Sequence, residues 1–149
     1  MRNGPRLRHL PDLPCACASL RRAARAVTQL YDEALRPTGM RITQFTLLKT
    51  LASAGPLRQG ELGNLLALDS TTLTRTLAPL KAAGWIEIRS GEDRRERLVE
   101  LTAAGHQQMV RGEEGWAEAQ RRMRRALGEK DWKRLFGLSW RVAGAAQRD

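Results

Sequence analysis

A run of hydroxyls ending in a guanidinium occupies Ser70, Thr71, Thr72, Thr74 and Arg75. On a helix advancing about 100° per residue, Thr71, Thr74, Arg75 and Ala78 share one side and Leu73, Leu77 and Leu80 the other. The polar side sets short donors and acceptors around one long, permanently charged fork. Such a set can hydrogen-bond phosphate oxygens, and the fork can pair bidentately with guanine O6 and N7. Arg75 is the candidate base contact, with Thr71 and Thr74 on phosphates or thymine methyls. A second set follows at Asp93, Arg94 and Arg95, inside the charged stretch from Ser90 to Arg97. An arginine on a flexible loop tip can enter a narrow minor groove, where the negative potential is deepest. Asp93 is expected to orient an arginine through a charge-assisted bond. Gln59, opening a short helix, is placed to meet phosphate.

The remaining reactive side chains are few. Cys15 and Cys17 are the only cysteines. They open a helix, where the dipole favours thiolate, so one reading is an oxidant- or electrophile-responsive thiol. The other is a pair of small residues buried near a helix start. At i and i+2 they point to different sides of a helix, which argues against a disulfide between them. His9 and His106 lie far apart in the sequence; His106 reads as a packed side chain, and no metal-ligand spacing is recognisable. No nucleophile with a base and no carboxylate pair stands at a readable spacing, so neither an enzyme nor a cofactor is expected.

The elements that position these groups follow from periodicity. Residues 1–14 read as an arginine- and proline-rich arm. Ala16, Leu20, Ala23, Val27, Leu30 and Ala34 give a first helix, ended by Pro37 and Gly39. A second helix is expected from Thr43, as N-cap, to Ala54. A short third helix spans about Gln59 to Leu66, with Leu62, Leu65 and Leu66 inward. Asp69 caps the next helix, which runs to about Ala83; Pro79 lies inside it and predicts a bend. Trp85–Arg89 and Leu98–Leu101 alternate as a hairpin with a long charged tip. A long helix from Ala103 to about Leu127 carries Met109, Trp116 and Met123 at seven-residue intervals, the mark of a helix-pairing seam. Gly128 stops it, and a last helix places Trp132, Leu135, Phe136, Ser139 and Trp140 near one stripe.

Composition narrows the class. A chain of 149 residues, 42% hydrophobic and 28% charged, can bury a core without disulfides or metal. No apolar run approaches the length of a membrane span. The amino terminus has charges and prolines where a signal peptide is apolar. A reduced, cytoplasmic protein is expected. The net charge of +10 suits a polyanion, and aromatics at 5% argue against a single-strand stacking platform. Yet the charge is uneven. Residues 1–55 are net +6 and residues 102–149 net +4, while residues 56–101 carry seven acids against seven bases. The candidate contacts sit in the neutral part, so their arginines must act locally. The run Arg121, Arg122, Arg124 and Arg125 reads as a solvated helix face.

A short helix, a tight turn, a polar-faced helix and a hairpin make a helix-turn-helix with a wing. The segment ELGNLLALDSTTLTRTLAPLKAAGWIEI, followed by EDRRERLVELTAAG, resembles the MarR family of winged helix-turn-helix regulators. The resemblance extends over about residues 15–149. It implies a mainly α fold with a small β-hairpin wing. Residues 43–101 would form the DNA-binding unit, and residues 15–42 and 102–149 a helical dimerisation region. It implies a homodimer on a pseudo-palindromic double-stranded operator, with recognition helices roughly 34–36 Å apart. A small-molecule or oxidant effector acting between the two regions, and repression as the output, are also implied. Carried onto this sequence, the recognition helix supplies Ser70, Thr71, Thr72, Thr74 and Arg75, and the wing Asp93, Arg94 and Arg95. The competing reading is a winged-helix protein-interaction module without sequence-specific DNA binding, which the neutral middle segment would suit.

Overall fold

The computed structural model describes residues 15–93 and 95–146; the expected arm at 1–14 and the side chain of Arg94 lie outside them. The elements run α1 (Ala16–Leu35), a 3-10 turn (Arg36–Thr38), α2 (Ile42–Ala54), β1 (Leu57–Arg58) and α3 (Gln59–Leu66). They continue with α4 (Ser70–Ala82), β2 (Ile86–Ser90), β3 (Arg97–Leu101) and α5 (Ala103–Ala146). The fold is mainly α with a small antiparallel sheet in the order β1-β3-β2.

The predicted elements form, with corrections that trace to tertiary contacts. α2 starts one residue before Thr43, so Thr43 is helical and not the cap. Asp32, reaching from α1, accepts the Ile42 N–H at 2.7 Å, and Gln44 Oε1 accepts the Arg41 N–H at 2.9 Å. A distant carboxylate therefore satisfies the helix start, which local sequence cannot reveal. β1 was not expected. Two residues are too short for a period, and they become a strand only because β3 pairs with them, Leu57 opposite Val99 and Arg58 opposite Leu98. The hairpin register sets Ile86 opposite Leu101 and Ile88 opposite Val99. α4 continues past Pro79 to Ala82, so the proline lies in the last turn of the helix.

The core is one contiguous cluster that includes Leu35, Phe45, Leu48, Leu51, Leu62, Leu73, Leu77, Leu80, Ile86 and Val99, sealed from one side by α5. Met109 is buried in it, and Trp116 packs on Phe45 with ring centroids 5.9 Å apart. The seven-residue repeat thus serves intrachain packing along its first half. Gly105 and Gly112 make this approach possible. A Cβ at 105 would lie 1.9 Å from the Trp85 carbonyl oxygen, and one at 112 would lie 2.6 Å from the Phe45 ring. α5 is interrupted at Gly128, whose φ of 74° lies in the left-handed region. Beyond it Phe136, Leu138 and Trp140 are exposed, Trp140 at 83%. Leu65, expected inward, is exposed on α3. His106, expected to pack, is exposed as well. No helix among the described residues is long and apolar enough to cross a membrane.

Candidate nucleic-acid interface

α4 is held by its start and by one face. Asp69 Oδ1 accepts the Thr72 N–H at 2.8 Å, and Oδ2 accepts the Thr72 hydroxyl at 2.7 Å. The Thr72 hydroxyl bond, then the backbone bond, holds the Asp69 carboxyl below its ordinary range. A carboxylate at the helix N-terminus also meets the positive end of the dipole. Leu73, Leu77 and Leu80 are buried. The opposite side presents Ser70, Thr71, Thr74, Arg75 and Ala78 to solvent, as the periodicity predicts. Thr72 is half-buried and serves the cap. Gln59, at the first turn of α3, donates through Nε2 to Thr74 Oγ1 at 3.2 Å. The first and second helices of the motif thereby share a polar contact on the exposed side.

The wing tip is closed by its own backbone. The Gly91 N–H donates to the Glu96 carbonyl and the Glu96 N–H to the Asp93 carbonyl, each at 2.9 Å. Asp93 Oδ1 accepts the Arg95 backbone N–H at 3.0 Å. Among the described residues this bond shapes the turn, an amide two residues on being within easy reach of an Asp side chain. Arg95 and Arg97 are exposed.

One residue here was missed by sequence reasoning. Arg58, on β1, binds Glu96 Oε1 through Nε at 3.1 Å and lies 3.6 Å from Glu61 Oε1. It bridges α3 and the wing base. Only the pairing of β1 with β3 brings it there, so no local signal marked it. A cleft of about 730 Å³ lies between α3, the start of α4 and the wing, lined in part by Gln59, Asn64, Ser70, Arg95 and Arg97.

These bonds show where the acids of the neutral middle segment go. Glu61 and Glu96 hold Arg58, Glu87 and Glu100 hold Arg89, Asp69 caps α4 and Asp93 shapes the tip. Six of the seven acids therefore have a partner within the segment. Arg75, Arg95 and Arg97 make no ion pair among the described residues and are exposed, so each can meet a phosphate or a base without first breaking a pair there. In contrast, Arg121 and Arg125 pair with Glu118, and Arg124 with Glu129 at 2.7 Å. The Arg121 bond holds Glu118 below its usual range, and the Arg124 bond does the same for Glu129. Three of the four arginines of that run are thus paired with nearby acids on a solvated face.

Two further places bear on control. A cavity of about 280 Å³ between α1, α2 and both parts of α5 is lined by Tyr31, Trp116, Gln120, Met123, Trp132 and Phe136, among others. The Tyr31 hydroxyl donates to Gln120 Oε1 at 2.8 Å, and burial pushes its pKa up, so it stays protonated. Cys15 and Cys17 are free and exposed. The reading of two buried small residues is therefore corrected: among the described residues nothing covers the first turns of α1. Among the described residues no group of three or more His, Cys, Asp or Glu could hold a metal ion.

The geometry has counterparts among known proteins. Residues 38–96 match the model of the MarR family. The chain is 37% identical over 83 residues to an uncharacterised HTH-type transcriptional regulator, YwoH, of Bacillus subtilis (strain 168), a match over 56% of this chain and 61% of that relative. The matches span between 54% and 61% of the length of the curated relatives. The M. tuberculosis transcriptional regulator MOSR, solved in complex with DNA, is 32% identical with a TM-score of 0.80, covering 90% of this chain and 99% of that one. The Streptomyces coelicolor regulator PcaV, solved with its natural ligand, is 22% identical and shares the fold at a TM-score of 0.83, over 95% of this chain and 100% of its own. Fold, motif order and these similarities agree, and the chain belongs to the MarR family of winged helix-turn-helix transcriptional regulators.

Proposed function

We propose that the chain is a dimeric transcriptional regulator that binds duplex DNA and acts as a repressor released by a small molecule or an oxidant. The observation that carries this reading is the exposed face of α4. Ser70, Thr71, Thr74 and Arg75 stand clear of the core on a capped helix, Arg75 has no carboxylate partner among the described residues, and Arg95 extends from the adjacent wing. A helix about 10–12 Å wide fits a major groove about 12 Å wide. Arg75 pairs with guanine, Ser70 and Thr71 reach phosphates, Thr72 holds the cap, and Gln59 supports the face from α3. Arg94 and Arg95 serve the minor groove, with Asp93 shaping the tip that carries them. The relative MOSR, solved in complex with DNA, supports this use of the motif.

In this reading residues 43–101 form the DNA-binding unit, residues 15–42 and 102–149 form the dimerisation region, and residues 1–14 an arm. A two-fold pair would set the recognition helices about 34–36 Å apart, on a pseudo-palindromic site. The cavity beside Tyr31 and Trp116 suits a small apolar effector, and the exposed Cys15 and Cys17 suit an oxidant. The protein works by binding and not by catalysis, with no cofactor, in the cytoplasm. A protein-interaction module is the second reading, supported by the zero net charge of residues 56–101.

The test is fluorescence anisotropy of the full chain on its own upstream intergenic duplex and on a scrambled duplex, at two salt concentrations. A specific complex that weakens steeply with salt is expected. Arg75→Ala is expected to cost about 1–3 kcal/mol of the preference for the specific duplex. Equal, weak binding to both duplexes would favour the protein-interaction module.

A further inference from the structure

We propose that Thr74 reads a thymine through its γ-methyl, and that Gln59 is the positioning residue that turns this methyl outward. The inference rests on the DNA-binding reading above and deepens it, because periodicity left Thr74 open to either a phosphate or a methyl.

The hydroxyls of α4 decide between the two. A threonine hydroxyl has one hydrogen to donate and two lone pairs. Thr74 donates to the Ser70 carbonyl at 2.8 Å and accepts from Gln59 Nε2 at 3.2 Å. Its donor is spent inside the protein, on a residue that is otherwise exposed. A β-branched side chain held at Oγ1 by two partners from different directions has its χ1 fixed. The γ-methyl is then the group free to meet a ligand. Thr72 and Thr76 also donate inward, to Asp69 Oδ2 at 2.7 Å and to the Thr72 carbonyl at 2.9 Å, but both are half-buried. Thr74 is the exposed member of the set.

The surroundings of Thr74 continue the pattern. One turn further on, Ala78 is exposed on the same row, and Pro79 follows it. The row Ser70, Thr74, Ala78 passes from a hydroxyl to two methyl groups along the exposed face. In the major groove, the 5-methyl of thymine is the apolar group that the base edges present, and threonine and alanine methyls are its usual partners. Gln59 reaches this row from α3, so the geometry of the turn between the helices controls which way Thr74 faces. Burying one methyl is worth about fourfold in affinity.

Duplex selected from a randomised pool by the wild-type full chain is the probe. Its thymines are replaced one at a time by deoxyuridine, which removes only the methyl. Wild type is expected to lose about fourfold at one thymine per half-site. Thr74→Val keeps a methyl on Cβ and is expected to retain that loss. Thr74→Ser keeps the hydroxyl and is expected to erase the loss at that thymine alone. Gln59→Ala is expected to shrink the same loss without changing the others, which a general structural role would not do. All three are surface changes expected to leave the melting transition in place. A wild-type scan with no sensitive thymine, or a Thr74→Ser scan identical to wild type, would overturn the assignment of Thr74. An unchanged Gln59→Ala scan would overturn the positioning role. A pool that yields no enriched duplex would overturn the DNA-binding reading itself and this inference with it.

Discussion

The stretch from α2 to β3 and the two terminal helical stretches bury their apolar residues very differently. Within the first, Phe45, Leu47, Leu48, Leu62, Leu80 and Val99 are fully buried. Within α1, only Tyr31 and Leu35 are buried, both in its last turns. Beyond Gly128, α5 has no buried residue, yet it carries Phe136 at 54%, Leu138 at 58% and Trp140 at 83% exposure. The winged part satisfies itself, while the terminal helices present an apolar surface that the described residues do not cover. Helices draw most of their stability from packing, and an exposed apolar patch of this kind marks an interface. A second copy, meeting α1 and the end of α5, is the occupant that the proposed dimer supplies.

The sharpest way to break this contrast is to charge the open face. Phe136→Asp combined with Trp140→Asp is expected to turn a dimer into a monomer in sedimentation at micromolar concentration. Helical ellipticity is expected to fall, since each central aromatic lost from an interface costs about 2 kcal/mol or more. A double variant that sediments and melts like wild type would mean that this face covers nothing. Next comes the closed part. Phe45→Ala is expected to lower unfolding stability by about 3–5 kcal/mol, read by denaturant titration, because the ring is fully buried and packs against Gly112 and Trp116 of α5. The dimer is expected to survive in native buffer. A loss of dimer before unfolding would show that the two regions are not separable.

The smallest effect concerns the α4 cap. Asp69 has its pKa depressed in the folded protein by Thr72. A depressed carboxylate contributes stability that is present above its unfolded pKa, near 4, and is lost as pH falls through the lower folded value. Wild type is therefore expected to melt above Asp69→Ala at pH 7, with the gap closing as pH drops below about 4. Asp69→Asn, which still accepts the Thr72 N–H, is expected to keep part of the gap at both pH values. A gap of constant size across the titration would remove the carboxylate's charge from the account.

Much of the site was legible because its determinants are local. The division of α4 into a Leu73, Leu77, Leu80 face and a Thr71, Thr74, Arg75 face follows from helical spacing alone. Asp69 as cap, and Gly128 as the break in the last helix, depend on neighbours a few residues away. The illegible features are those whose partner lies far along the chain. Arg58 is an ordinary charge until β1 pairs with β3. The α2 start takes its acceptor from Asp32 in α1.

The sequence by itself determined the order of helices and hairpin, the polar face of α4 and the family, since periodicity, capping and turn chemistry act over a few residues. Only the tertiary structure decided the fate of the repeat Met109, Trp116, Met123 and of Leu65. An apolar residue recurring at helical spacing records that a face must be buried, not which surface will bury it. Gly105 and Gly112 brought the first half of α5 onto its own chain, where Met109 and Trp116 found the core. Past Gly128 the same kind of stripe was left open, because hydrophobic burial is non-directional and the described elements of one chain do not enclose it.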